Sequence, residues 1–172
     1  QITPWLNADV HNEDANYGEK FWENEMAECD GMRAVVVAQT RKTGFVVATA
    51  MENTLTVNGW AASVAPSVKA GKMTAHCTYT CDYSPGDIFE LRKYVAVLSS
   101  MNHPAENIGR KAMTAAGDAA QNGFDAMLQS HRDAWSAKWE HGDIVIRGDI
   151  EAQQGIRFNI FQLNQTYTGE DP

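Results

Sequence analysis

The sequence predicts a β plus α fold, in which an antiparallel β-sandwich is followed by a helical pair and a further helix. Stretches rich in β-branched residues follow one another in the front half, with short turns and no helix between them. The dipeptide Asn58-Gly59, typical of a tight hairpin turn, ends one of them. After residue 99 the composition changes to alanine-rich segments with apolar residues at steps of three and four, which indicates helices.

Five strands are predicted before residue 100. They cover residues 32–39, 45–51, 54–58, 74–81 and 88–98. The loop between the first two is polar and ends in Gly44, which is typical of a hairpin. The last strand alternates at first and then becomes apolar, as expected for a strand that enters a covered core. Short turns without intervening helices predict antiparallel pairing.

Two helices are predicted between Pro104 and Gly142. The apolar positions of the first are Ile108, Ala112, Ala115, Ala116 and Ala119, and those of the second are Phe124, Leu128, His131, Trp135 and Trp139. Gly123 ends the first helix, and proline near a helix start with glycine after its end is the usual arrangement. Two narrow apolar stripes so close in sequence predict a helical hairpin.

A short strand is predicted at residues 144–146, and a third helix follows it. Asp149 is a typical N-cap residue for that helix. Its face carries Ile156, Ile160, Leu163 and Tyr167, while Phe158 and Phe161 lie off that face. A helix that is apolar on much of its circumference belongs inside a larger helical assembly. We therefore expect both ends of the chain, Gln1 and Pro172, to be cuts in a longer protein.

Composition excludes several functional classes. The 172 residues carry 14 Lys+Arg against 22 Asp+Glu, and a net charge of −8 argues against binding to nucleic acid or to an anionic membrane surface. No apolar run approaches the roughly 20 residues that a bilayer-spanning helix needs. Cys77 and Cys81 would lie about 13 Å apart on a strand, beyond disulfide reach. With Cys29 they are expected to be free thiols in a reducing compartment, so a cytoplasmic location is predicted.

The sequence has no catalytic motif that identifies an enzyme class. The sequence contains no Walker A loop, G-x-G-x-x-G, G-x-S-x-G or H-E-x-x-H. Residues 9–14 look superficially like a calcium loop, but Asp14 stands where that loop requires glycine. The histidines are scattered over different predicted elements, and His131 is expected to be packed rather than catalytic. The acidic residues that adjoin in sequence are Glu13 with Asp14 and Glu170 with Asp171, and adjacency does not set the carboxyl separation that a glycosidase needs.

Tryptophan offers a second functional hypothesis. Five tryptophans could stack on sugar rings: Trp5, Trp22, Trp60, Trp135 and Trp139. Trp135 and Trp139 lie four residues apart on one helix, which favours packing. Trp60 follows the Asn58-Gly59 turn and is the ring expected to be exposed. The alternative is therefore a free-standing carbohydrate-binding or interaction module built on the sandwich alone.

Four sequence blocks resemble glycoside hydrolase family 65. DVHNEDANYGEKFW at residues 9–22 is similar to a signature of that family's N-terminal domain, and FELRKYVAV at 89–97 resembles the last strand of that domain. WEHGDIVIRGD at 139–149 and QQGIRFNIFQLNQTYTGED at 153–171 resemble the segment that leads into the catalytic barrel. The blocks keep their order along the whole chain and are most similar to the maltose phosphorylase branch, with kojibiose and trehalose phosphorylases as sibling branches.

The resemblance implies a large enzyme with a β-sandwich N-terminal domain, a helical linker, an (α/α)6 barrel and a small C-terminal sheet. It assigns residues 1–99 to the later part of the sandwich, residues 100–142 to the linker and residues 143–172 to the start of the barrel. The separate prediction from residue patterns has strands to Ser99, a helical hairpin to about His141 and then an apolar helix, so the two divisions agree.

The resemblance also implies a reaction. The family cleaves an α-linked glucose disaccharide with inorganic phosphate and inverts the anomeric carbon, which yields β-glucose 1-phosphate and glucose. Its general acid, principal sugar-binding loop and phosphate pocket belong to barrel segments that are expected beyond Pro172. No catalytic residue is therefore assigned to this chain, its substrate-binding residues are unknown, and no metal or cofactor is expected. We expect the chain to be a scaffold that is inactive alone.

The expected partners of the parent enzyme are the disaccharide, phosphate, the remainder of its own chain and a second copy in a homodimer. A sandwich that lacks its earlier strands would present an unpaired edge, and unpaired edges invite association. The loops that would select among maltose, kojibiose and trehalose belong to the same segments beyond Pro172.

Overall fold

The computed structural model describes residues 1–11 and 20–166. The chain divides into two compact units, Gln1–Phe124 and Asp125–Pro172. The first, which we call the sheet unit, holds every strand and the first helix of the described residues. The second, which we call the helix unit, holds most of the second helix and all of the third.

Eight strands and three helices occur in the described residues. The strands are β1 (Trp5–Asn7), β2 (Trp22–Asp30), β3 (Arg33–Thr40), β4 (Val46–Val57), β5 (Trp60–Ala61), β6 (Ser67–Ala70), β7 (Thr74–Thr78) and β8 (Phe89–Ser99). The helices are α1 (Ile108–Asn122), α2 (Phe124–Gly142) and α3 (Ile150–Thr166). All strand pairs are antiparallel, as the sequence predicts.

The strands form two sheets that pack as a sandwich. A five-stranded sheet has the order β2-β3-β4-β5 with β8 on the other side of β4, and a three-stranded sheet has the order β1-β7-β6. The core between them includes Val36, Met51 and Tyr79, which are at most 2% exposed. The β-sandwich prediction is therefore confirmed.

The five-stranded sheet is covered on both faces. Along β3, Ala34 and Val36 belong to the core between the sheets, whereas Val35 and Val37 belong to a second core shared with α1. This explains the apolar run in β3, because a strand that is buried on both faces has no solvent side to carry polar residues.

Helix α1 packs its small residues against that second face. Ile108, Ala112 and Ala116 are buried with the strand residues, so the partner of this apolar stripe is the sheet. A Cβ atom added at Gly109 would lie 2.6 Å from Met26 Cε and 3.0 Å from a Val37 methyl, so glycine permits the close approach. The prediction of a helical hairpin is therefore wrong for the apolar stripe of α1, because that stripe packs on strands.

Strand β4 is longer than predicted. Residues 45–51 and 54–58 were expected as two strands because Glu52 and Asn53 are polar, but β4 continues through both. Glu52 pairs with Arg33 Nε at 2.5 Å, and buried Asn53 donates through Nδ2 to the Met32 carbonyl at 3.0 Å. These partners replace water for the Glu52 carboxylate and for the amide nitrogen of Asn53, whereas the buried Asn53 Oδ1 has no hydrogen-bond partner among the described residues.

Four strands were not predicted. They are β1, β2, β5 and β6, of which β5 and β6 are short and exposed. Strand β2 has an irregularity in its register between Asn24 and Met26, which interrupts the two-residue alternation by which a strand is identified in sequence. Strand β8 ends at Ser99, where the strand region was predicted to end.

The helix unit has no fully buried residue among the described residues of α2 and α3. Arg157 makes two hydrogen bonds to Asp143, at 2.9 and 2.6 Å, and so ties the segment before α3 to that helix. The Trp135 and Phe161 rings lie 5.0 Å apart between their centroids. Hydrogen bonds and aromatic contacts, rather than a buried core, stabilise this unit.

The strand predicted at residues 144–146 is wrong, because the segment pairs with no strand of the described residues. Its backbone bonds to one side chain instead. Gln153 Nε2 donates to the Ile144 carbonyl at 2.9 Å, and the Ile146 amide donates to Gln153 Oε1 at 2.6 Å. A single glutamine thus satisfies the two groups that a neighbouring strand would have satisfied.

Candidate functional site

A polar cleft lies at the described ends of the signature segment 9–22. Its volume is about 510 Å³, and the residues that line it are Asp9, Lys20, Trp22, Glu23, Asn24, Arg41, Lys72, Met73 and Thr74. Residues 12–19 of the signature, with Glu13 and Asp14, lie outside the described part of the chain.

Backbone hydrogen bonds fix the two sides of this cleft. The Ala8 amide donates to the Met73 carbonyl at 2.9 Å and thereby places Asp9 beside the start of β7. The Arg41 amide donates to the Phe21 carbonyl at 2.9 Å and places the Arg41 side chain opposite the start of β2. Asp9 and Arg41 therefore lie just outside strands, and backbone hydrogen bonds fix their positions.

The cleft is lined by two carboxylates and three cationic side chains, of which Lys72 is the third. Lys20 forms an ion pair with Asp9, and Arg41 Nε lies 3.1 Å from Glu23 Oε1. The hydrogen bond from Lys20 holds the pKa of Asp9 below its ordinary value, and the charges of Lys20, His11 and Lys72 act in the same direction. A general acid at neutral pH needs a raised pKa. Asp9 is thus suited to binding polar groups and unsuited to donating a proton.

A second cleft, of about 500 Å³, lies between β2 and the start of α1. Met26, Val37 and Met113 give it an apolar wall, and Glu25 and Glu28 give it an acidic one. The residues at the start of α1 that line it are Asn107, Ile108, Gly109 and Arg110. Sequence reasoning missed this cleft because its walls come from strands and a helix far apart in sequence.

The cysteines are free thiols, as predicted. Burial raises the pKa of Cys77 to about 11, and neighbouring Cys29 acts in the same direction. Nucleophilic and metal-binding cysteines require a lowered pKa, so Cys77 has a packing role.

The histidines and carboxylates form no metal site: in the described ranges 1–11 and 20–166 no group of three His, Cys, Asp or Glu residues could hold an ion. His131 is exposed on α2, with its ring centroid 6.2 Å from that of Trp135, so the expectation that it is packed is wrong. Glu170 and Asp171 lie outside the described residues.

The tryptophans behave differently from one another. Trp60 is 80% exposed, as predicted. Trp135 and Trp139 are half-buried, with ring centroids 6.4 Å apart, and Trp135 contacts Phe161. Sequence reasoning missed the parallel stack of Trp5 on His76, whose ring centroids lie 5.3 Å apart. No local pattern could reveal it, because the two residues lie on β1 and β7.

None of the described helices has the length and hydropathy that a bilayer-spanning helix needs.

Residues 1–138 match the family model described as "Glycosyl hydrolase family 65, N-terminal domain". The chain is 34% identical over 170 residues to a maltose phosphorylase of Bacillus subtilis (strain 168), which covers 99% of this chain and 22% of that protein. It is 40% identical over 55 residues to a kojibiose phosphorylase of Caldanaerobacter subterraneus subsp. tengcongensis, a match to 32% of this chain and 7% of that protein.

A solved structure has the same fold. It is described as a putative kojibiose phosphorylase from human microbiome, and it superposes with a TM-score of 0.79 at 18% identity over 99% of this chain and 21% of that one. The chain thus spans about a fifth of the length of the maltose phosphorylase and of the solved structure. Because the family model covers residues 1–138, this chain belongs to glycoside hydrolase family 65.

Proposed function

We propose that the chain is part of an inverting disaccharide phosphorylase that converts maltose and phosphate to β-glucose 1-phosphate and glucose. The observation that carries this proposal is the 34% identity to a maltose phosphorylase across 99% of the chain. The shorter similarity to a kojibiose phosphorylase supports a phosphorylase in the wider sense.

Such a reaction places few demands on protein groups. One carboxylic acid protonates the oxygen of the leaving glucose, and phosphate attacks the anomeric carbon from the opposite face, in the place that activated water takes in inverting hydrolysis. Cationic and hydroxyl groups must hold the phosphate. We propose that these groups lie beyond Pro172 and that inorganic phosphate is a co-substrate, without a cofactor.

The role proposed for this chain is to support the catalytic part. We assign residues 1–99 to the N-terminal sandwich, 100–142 to a helical linker and 143–172 to the start of an (α/α)6 barrel. The exposed apolar residues of α3, Phe158 at 60% and Leu163 at 68%, support a helix that acquires further partners in a longer protein. A homodimer and a cytoplasmic location complete the proposal.

The second candidate is a free-standing carbohydrate-binding or interaction module. The observation that favours it is the 80% exposure of Trp60, because a large exposed aromatic ring is a common element of binding surfaces. On this hypothesis the sheet unit acts without a catalytic part, and phosphorolysis is absent at any chain length.

The test compares the 172-residue chain with the product of the complete gene. Each is incubated with phosphate and maltose, kojibiose or trehalose, and glucose 1-phosphate release is followed through a β-specific phosphoglucomutase. We expect the complete product to act on maltose and the 172-residue chain to remain at the uncatalysed background. Turnover by the purified 172-residue chain would contradict the scaffold role, and an inactive complete product would favour the module.

A further inference from the structure

The three-stranded sheet has an outer face that turns away from the sandwich core. Leu6, Ala75 and Cys77 point into that core, so the residues that alternate with them on β1 and β7 point outward. We call this surface the Trp5 face and define it by Trp5, Asn7, Lys69, Thr74, His76 and Thr78. Trp5 is 47% exposed on this face.

The Trp5 ring is held in a defined orientation. Trp5 pairs with His76 in the strand register, and the two rings stack at 5.3 Å with 9° between their planes. Lys93 Nζ donates a hydrogen bond to the Trp5 carbonyl at 2.8 Å and anchors the backbone beneath the ring. An aromatic ring fixed before binding loses little conformational entropy when a ligand stacks on it.

Polar groups surround this ring. Thr3 Oγ1 and Thr78 Oγ1 lie 3.1 Å apart, which places hydroxyl groups in the row beside the stack. Lys69 pairs with His76 on the far strand and adds a flexible amine. Three strands give a platform roughly 10 Å wide, with successive outward rows roughly 7 Å apart. One apolar ring face set among hydroxyl and amine donors matches a sugar ring, which has an apolar C–H face and a polar rim.

We propose that the Trp5 face binds a short α-linked glucose oligosaccharide at a site separate from the reaction. The choice of α-linked glucose rests on the proposed function, whereas the choice of a neutral sugar rests on the face itself. Its single ring offers too little apolar area for a protein interface, which needs a contiguous apolar centre. The overall charge of −8 disfavours a polyanion, despite Lys69 and His76.

The experiment titrates the 172-residue chain with maltoheptaose and follows binding by isothermal titration and by shifts of the tryptophan indole N–H resonances. We expect Trp5→Ala to weaken binding about tenfold, because it removes the stacking surface. Trp60→Ala is the matched control, since it removes the same side chain from another exposed position of the same unit, and it should change binding less than about twofold. Lys69→Ala leaves the stack in place and should weaken binding about threefold.

Two outcomes would overturn the proposal. The first is no binding of maltoheptaose by a folded chain at millimolar concentration, and the second is loss of binding in Trp60→Ala with retention in Trp5→Ala. Circular dichroism of each variant shows whether the chain remains folded, and Lys69→Ala keeps the test decisive if Trp5→Ala unfolds.

The experiments distinguish failure of sugar binding at the Trp5 face from failure of the proposed phosphorylase function. If the complete gene product phosphorolyses maltose and maltoheptaose does not bind the Trp5 face, only this inference fails. Trp5→Ala in the complete product should leave kcat on maltose unchanged, because the face is placed outside the reaction site. A fall in kcat would contradict that placement.

Discussion

In the sheet unit Val35 and Met51 have no exposed surface, whereas in the helix unit Phe158 and Leu163 remain 60% and 68% exposed. The sheet unit buries apolar residues on both faces of its larger sheet. The helix unit depends on one bidentate ion pair, one bridging glutamine and an aromatic contact. Apolar residues alone therefore do not give stability, because only buried apolar surface contributes the hydrophobic term.

The largest expected effect separates the two units through truncation of large apolar side chains. Met51→Ala should lower the free energy of unfolding by about 2–5 kcal/mol, since it removes buried methylene groups and leaves a cavity between the sheets. Phe158→Ala in α3 should change it by less than about 0.5 kcal/mol, because the ring is 60% exposed. Urea denaturation of both variants measures the difference, and equal losses would mean that the helix unit has its own sealed core.

Glycine-to-alanine substitutions in the helices should change stability by an intermediate amount, and the change should have opposite signs in the two units. Gly155→Ala in α3 should raise stability by about 0.5–1 kcal/mol, because the added Cβ meets open space and alanine favours helix. Gly109→Ala in α1 should lower it by about 1 kcal/mol, since crowding against Met26 and Val37 outweighs the helix gain. Thermal unfolding measures both, and stabilisation by Gly109→Ala would show that α1 packs more loosely on the sheet.

Two carboxylates, one in each unit, give the smallest effect. A hydrogen bond from Asn58 lowers the pKa of Asp87, and one from Arg157 lowers the pKa of Asp143. Because each folded-state pKa lies below the unfolded value, any stability these groups contribute is present above about pH 4 and is lost as the pH falls through the folded value. Arg157→Ala should raise the pKa of Asp143 and leave Asp87 unchanged.

Carbon-13 NMR titration of the side-chain carboxyl groups measures both pKa values. If Asp143 keeps its lowered pKa in Arg157→Ala, the bidentate pair is not what holds the start of α3. If Asp87 shifts as well, the two units influence each other electrostatically.

Local patterns predicted much of the fold but not its polar interior. The sequence indicated β3 and β8 to within one residue at each end, because β-branched and aromatic residues mark both segments as strands. The apolar run of β3 is buried, whereas Val95 and Val97 of β8 are exposed. It divided β4 at Glu52 and Asn53, whose partners are Arg33, the first residue of β3, and Met32 in the turn before it. Such partners are fixed by tertiary structure, so a single strand's sequence cannot reveal that a polar residue is satisfied.

The candidate surfaces were less predictable than the fold. The exposure of Trp60 followed from a turn dipeptide, which is a local signal. The cleft beside Asp9 and the Trp5 stack each join segments that are far apart in sequence, and nothing in either segment encodes its partner. The family resemblance was recognisable from ordered blocks because it does not depend on such contacts.

The pairing of β1 with β7 has a consequence for the order in which the chain acquires structure. Trp5 pairs with His76, which lies about 70 residues later in the sequence. Strands β3 and β4 are joined by a short turn and can pair as soon as both have been synthesised. Closing the longer loop costs more chain entropy, and distant pairings slow folding. During synthesis β1 therefore waits for β7, and the pairing between these two strands cannot form until β7 has left the ribosome.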